Sequence, residues 1–351
     1  TEQLAAGGSW PTRVQEGARQ LRASFAFVDW CRKGLEHLYH RRYQDTRVFF
    51  AELQEEYPHT AVSPIADLLV WQAMMLENFD FRYDAQYRTA SALARAQLGE
   101  AVRLPGNDGW EQFMLAGVVG LEAIHAARQG RYLPALTQAF QALDHVGKVR
   151  AAAPQFVDLA LADGLYNYWR TVIANSSKLI PSFGDRRAEG IGQIQTVEDR
   201  GVFLAPPATL AMVFTWLEEK DYDRALASCL RNYVSYPDNL INTMMMGSVR
   251  LRRQEHAEAL GLFDRVLQMD AANSRVRYLR GVALLRLGRL EEAVAELSTY
   301  LSRSHLLEDQ KAAGHWRLGE AFEKLKRWDA AEEAYRTAYK LGLGEARVGL
   351  D

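Results

Sequence analysis

Four alanines keep a ruler in the C-terminal part of this 351-residue chain. Ala225, Ala259 and Ala293 stand 34 residues apart, and Ala331 follows 38 later, with the excess in the stretch SRSHLLED. Gly247, Gly281 and Gly319 keep step, each twelve positions before its alanine. A fixed period of this length constrains the fold more than any local propensity, because it makes each period one supersecondary unit. Two helices of about a dozen residues and a short turn fill it. The small residue on each helix lets the two backbones approach. Large apolar residues four positions after the alanines, Phe263, Leu297 and Tyr335, then pack on the next unit. One unit cannot bury its own face, so units stack.

The pattern resembles the tetratricopeptide repeat (TPR). Units fall at 206–239, 240–273, 274–307 and 312–345, and one more at 27–60. In that N-terminal unit Trp30, Gly34, Tyr43, Phe50 and Pro58 sit where the repeat wants its tryptophan, glycine, aromatic residues and closing proline, and Thr46 replaces the alanine. Between these lie stretches such as PIADLLVWQAMMLENF with apolar residues at three- and four-residue spacing, which predicts helices. No period-2 strand signal of useful length appears. The expectation is therefore all-α: a TPR-type α-solenoid of about eight antiparallel helix pairs forming a superhelix. An N-terminal arm or helix occupies 1–26, divergent pairs run over 27–205, and four regular units fill 206–351.

One segment departs from the repeat, DGLYNYWRTVIANSSKLIPSFGDRR over 163–187. It takes the place of a helix pair at 155–205 whose turn is longer than a TPR turn. Gly164, Leu165, Tyr166, Tyr168, Ile180, Pro181, Gly184, Asp185, Arg186 and Gly190 make it resemble a segment of TPR proteins that bacteria often export. The eukaryotic TPR-39/Iml2-like proteins carry a similar one. The resemblance implies architecture more than function. Asp185 is expected to cap the second helix, Arg186 to face solvent or pair locally, and the aromatics to fill space. The GIG at 190–192 follows no strand and precedes no GK[ST], so it is not a phosphate loop.

Chemistry-bearing motifs are scarce. His37 and His40 are three apart and share a helix face, but no HExxH or third ligand at suitable spacing accompanies them, so neither metal nor cofactor is expected. Cys31 and Cys229 are too far apart in sequence for a zinc-ligand pattern and read as buried thiols. No GxSxG and no papain-like cysteine context occurs. The formal net charge of -2 gives no global basic field, so direct nucleic-acid binding is not expected. No apolar run approaches the ~20 residues of a membrane span. The first residue is Thr1 rather than Met, which leads to the expectation of a removed signal peptide or of a chain trimmed at its start. With the resemblance to exported proteins, the expected setting is the bacterial periplasm, with the cytoplasm as alternative.

The resemblance implies that the first helix of every unit lines a groove with its second, fifth, ninth, twelfth and thirteenth residues. The fifth position gives Leu210, Met244, Tyr278 and Trp316; the thirteenth gives Glu218, Arg252, Arg286 and Lys324. Phe214 occupies the ninth position of the first regular unit. An apolar-to-aromatic row thus runs beside a mostly basic one, as in peptide-binding grooves. The bland reading is that these side chains pack on neighbouring units. The Lys/Asn clamp of chaperone-tail binders needs Asn at the ninth position of one unit and the sixth of the next. Ser248 and Leu279, or Phe214 and Met245, stand there instead. The sequence therefore reads as a non-catalytic scaffold or adaptor that holds a protein or peptide partner, apolar with acidic groups. A carrier of a small apolar ligand near 155–205 is the alternative, and a helical regulator of nucleic-acid machinery the second.

Overall fold

In a computed structural model, residues 10–104, 109–176, 184–303 and 305–343 are described; they contain helices and no strand. Seventeen α-helices follow in order. α1 (Trp10–Gln20) leads, then α2 (Phe25–Tyr39) and α3 (Tyr43–Glu56), α4 (Val62–Asn78) and α5 (Asp84–Ala101), α6 (Trp110–Arg128) and α7 (Tyr132–Ala152), and α8 (Leu159–Ser176) and α9 (Arg187–Arg200). The regular part holds α10 (Ala205–Glu218) and α11 (Tyr222–Ser235), α12 (Leu240–Arg252) and α13 (His256–Met269), α14 (Ser274–Arg286) and α15 (Leu290–Leu301), and α16 (Glu308–Lys324) and α17 (Trp328–Ala338). A π-helical turn, Tyr339–Leu343, ends the described chain. This is one leading helix and eight twos, the order that the sequence predicts.

Local chemistry sets the helix ends. Asn239 accepts the Ile241 and Asn242 N–H groups at 3.0 and 3.3 Å, and Asn273 accepts the Val276 N–H at 2.9 Å, capping α12 and α14. Each first helix closes on a left-handed residue: Lys220 (φ 58°), Gln254 (65°), Gly288 (75°) and Lys326 (59°). The turn is thus as periodic as the alanines, although glycine fills it only once among these four. Inside the pairs, a Cβ on Gly247 would lie 2.5 Å from Phe263, one on Gly281 2.8 Å from Leu297, and one on Gly319 2.6 Å from Tyr335. Gly34 meets Phe50 in the same way, at 2.5 Å. Ala225, Ala259, Ala293 and Ala331 are all buried. In the N-terminal unit Trp30 does not enter the core. It is 45% exposed, tilted against Phe49 with Lys33 Nζ 4.9 Å from its ring centroid, and Pro58 is exposed after the end of α3.

The chain divides into two compact units. The first comprises residues 1–71 and 85–215; its core gathers Phe27, Trp110, Phe113, Phe156 and Phe203. The second comprises 72–84 and 216–351. The division differs from the sequence-based one in ending the first unit at 215 rather than 205, and in assigning 72–84 to the C-terminal unit. Specific hydrogen bonds explain the latter: Asn78 Oδ1 accepts the Ser274 N–H at 3.1 Å, Asn273 Nδ2 donates to Glu77 O at 2.9 Å, and Gln310 Nε2 to Phe79 O at 2.7 Å.

The departing segment belongs to the first unit and is closely packed. A Cβ on Gly164 would lie 2.9 Å from Gly190 O, and one on Gly190 2.7 Å from Gly164 O. The two glycines let the backbones of α8 and α9 touch. Tyr168 is fully buried beside them, and its hydroxyl donates to Thr215 O at 3.2 Å. Asp185 is not the N-cap: Arg186 holds that position, because α9 begins one residue later than the sequence suggests. Asp185 still accepts the Arg187 N–H at 3.0 Å and pairs with the Arg187 guanidinium at 2.8 Å. Arg186 pairs locally with Glu189. Gly184 has φ 82°, a conformation that favours glycine. Ile180 and Pro181 lie outside the described residues.

Candidate partner-binding site

A cleft of about 440 Å³ opens in the second unit. Tyr278, Leu279 and Val282 of α14 line it with Leu251, giving it an apolar side. Arg252, at the end of α12, and Arg286, at the end of α14, supply charge. Cations at helix C-termini also offset the exposed carbonyls of the last turn. Arg317 from α16 completes the group, with Tyr222, Gln254 and His256 from the turn side.

The arginines differ in what satisfies them. Arg317 is 6% exposed and donates to Glu320 at 2.7 Å. Burial opposes its charge, but pairing with Glu320 and Tyr278 holds the guanidinium above its ordinary value. Arg275 lies 5.2 Å from the Phe79 ring centroid and 5.3 Å from that of Tyr278, a pair of cation–π contacts. Arg252 and Arg286 form no ion pair with any described residue. Partial burial lowers the Arg252 guanidinium from its ordinary value, and the Arg275 and Arg317 charges add to the effect. A positive charge so placed favours an anion from outside, since a carboxylate would relieve both the desolvation and the like-charge repulsion.

Of the eight side chains read from the sequence as a groove, the structure brings three into this cleft: Tyr278, Arg252 and Arg286. Met244 is a core residue at 1% exposure, because the neighbouring helix pairs close over its position. Tyr278 is itself only 3% exposed and shows the cleft little beyond its edge. Leu210 and Phe214 are half-buried and do not line it. Lys324 is exposed outside it. Trp316 turns instead toward α17, its ring centroid 4.9 Å from that of Tyr335, and lines a separate surface. The apolar row therefore does not stay on one face: Trp316, at the fifth position of the last unit, packs sideways on the partner helix α17. Sequence reasoning misses Arg317, Tyr222 and His256. Arg317 stands at the sixth position of its unit, outside the positions from which the groove row was read.

The His37 ring packs 5.7 Å from Phe49. No group of three His, Cys, Asp or Glu side chains suited to a metal occurs among the described residues. Burial pushes the Cys31 thiol up and that of Cys229 up to about 12, which leaves little thiolate. No described helix is long and apolar enough to cross a membrane.

The family model described as tetratricopeptide repeat matches residues 244–305 and 300–346. A stretch of 78 residues, 21% of this chain, is 40% identical to the TPR repeat-containing thioredoxin TTL4 of Arabidopsis thaliana, and spans 11% of that protein. Among solved structures, a tetratricopeptide repeat protein from Parabacteroides merdae is 12% identical, covering 78% of this chain and 94% of its own, with a TM-score of 0.44. MamA from Desulfovibrio magneticus RS-1 is 17% identical, covering 53% and 95%, with a TM-score of 0.42. The C-terminal part of the chain carries tetratricopeptide repeats.

Proposed function

We propose that the chain is a non-catalytic scaffold that holds a segment of a protein partner in the cleft of its C-terminal unit. The observation that carries this reading is the pair Arg252 and Arg286, which form no ion pair with any described residue and stand beside the apolar side of Tyr278, Leu279 and Val282. A partner segment that sets an apolar side chain against α14 and aspartate or glutamate against the two guanidiniums satisfies both. The carrier reading gains no support from α8 and α9, whose backbones meet at Gly164 and Gly190 with Tyr168 and Ile194 filling the space beside them. The periplasmic setting rests on the resemblance of 163–187 to exported proteins, and fractionation of the source cell tests it.

Affinity capture from the source cell tests the main reading, with wild-type chain beside an Arg252→Glu, Arg286→Glu double variant. The expected result is a specific protein retained by the wild type and lost from the double variant. Equal retention by both moves the site out of this cleft.

A further inference from the structure

The cleft of the C-terminal unit holds more positive charge than one carboxylate offsets. No described aspartate or glutamate lines it. The acids next to its lining residues are already held by arginines. Glu255 pairs with Arg250 and Arg253, each at 2.7 Å, and Glu320 pairs with Arg317 at 2.7 Å. Arg252 and Arg286 form no ion pair with any described residue. Arg275, 5.3 Å from the Tyr278 ring centroid, forms none either. Three guanidiniums thus stand in or beside one cleft, and the carboxylates near it are taken. The Arg275 and Arg317 charges also repel that of Arg252, which is why its guanidinium lies below its ordinary value once partly buried. A side-chain carboxylate brings one negative charge to such a place. A phosphate monoester brings about two at neutral pH, with three strong acceptor oxygens. Guanidinium forks meet phosphate oxygens in bidentate pairs. The Gln254 amide and the Tyr222 hydroxyl, which line the same cleft, are further donors.

We propose that the cleft takes a phosphorylated side chain of the partner segment, with its phosphate on Arg252 and Arg286 and a neighbouring apolar residue on Leu279 and Val282. This rests on the cleft being the partner site. A nucleic-acid backbone carries the same phosphates, but it is held by cations spread along a track. Here the cations converge on one cavity of about 440 Å³, in a chain whose formal net charge is -2. A single phosphate beside an apolar wall matches that arrangement.

Calorimetric titration of phenyl phosphate, phenyl sulfate and benzoate into the full chain tests the proposal. The first two share a shape and differ by one charge, and the third offers a carboxylate. Phenyl phosphate should bind at least about tenfold more tightly than either of the others. Arg252→Gln with Arg286→Gln should weaken it by at least about tenfold. Both side chains are exposed, so the fold should persist, as a circular dichroism melt would show. Equal affinity for the three probes overturns the proposal. So does phenyl phosphate binding that the double variant keeps, or none up to about 10 mM. An oligothymidylate that binds more tightly than phenyl phosphate and is lost from the same variant overturns it in favour of nucleic acid. Dephosphorylating the source-cell extract before capture separates this proposal from the partner site on which it rests. The expected result is a partner lost from the treated extract alone. A partner retained from both extracts overturns the phosphate and keeps the partner site. No partner from either overturns the partner site, and the phosphorylated side chain falls with it.

Discussion

At the scale of single residues, Asp158 shows how much one buried carboxylate organises. It is 1% exposed, just before α8, and accepts the Val202 and Phe203 N–H groups, each at 2.9 Å. It thereby fixes the connection between α9 and α10. Asp158→Ala leaves those donors buried and unpaired, and should cost ~2–4 kcal/mol in a chemical-denaturation titration. Burial pushes its carboxyl up to about 6, against the backbone donors that pull it down. The folded value thus lies above the ordinary 3.8, so the native state holds the proton more tightly. The penalty from this group is full above pH ~6 and fades as pH falls toward ~4. Asp158→Asn should remove that part of the pH dependence; an unchanged slope of stability against pH would refute the assignment. Nothing in the sequence marks Asp158, because its partners lie more than forty residues away and are backbone groups.

At the scale of elements, the turns and the small residues carry the repeat. Gln254 and Lys326 hold left-handed conformations that cost a side chain about 1 kcal/mol and glycine almost nothing. Gln254→Gly should therefore be neutral to stabilising by up to about 1 kcal/mol, and Gly288→Val should destabilise by more than that. Thermal melts of both variants check the pair, and a stabilised Gly288→Val would contradict the turn geometry. Gly281→Leu should cost ~1–3 kcal/mol, because its first carbon already meets Leu297. These features are legible in the sequence: the alanine and glycine periods predict where helices meet, and the intervals predict how many there are. The sequence places the start of α9 one residue early, at Asp185, since Asp at an N-cap and Asp just before it look alike. The direction of Trp316 is not legible. The fifth position faces a neighbouring unit in α12 and α14, but beyond α16 no described unit continues the stack, and the ring settles on α17.

At the scale of the whole molecule, the proposed function rests on the cleft of the C-terminal unit. The cleft gathers the guanidiniums of Arg252 and Arg286, which form no ion pair with any described residue, beside an apolar wall. Charges near a binding surface set on-rate and salt dependence, and those partly buried add affinity when matched. The most direct measurement of the central claim is therefore a calorimetric titration of the captured partner, at low and high salt, into wild type, Arg252→Glu/Arg286→Glu and Trp316→Ala. Binding in the cleft requires the double variant to lose at least about tenfold, ~1.4 kcal/mol, with the larger loss at low salt, and Trp316→Ala to bind as wild type does. Wild-type affinity in the double variant, or its loss in Trp316→Ala alone, would contradict it.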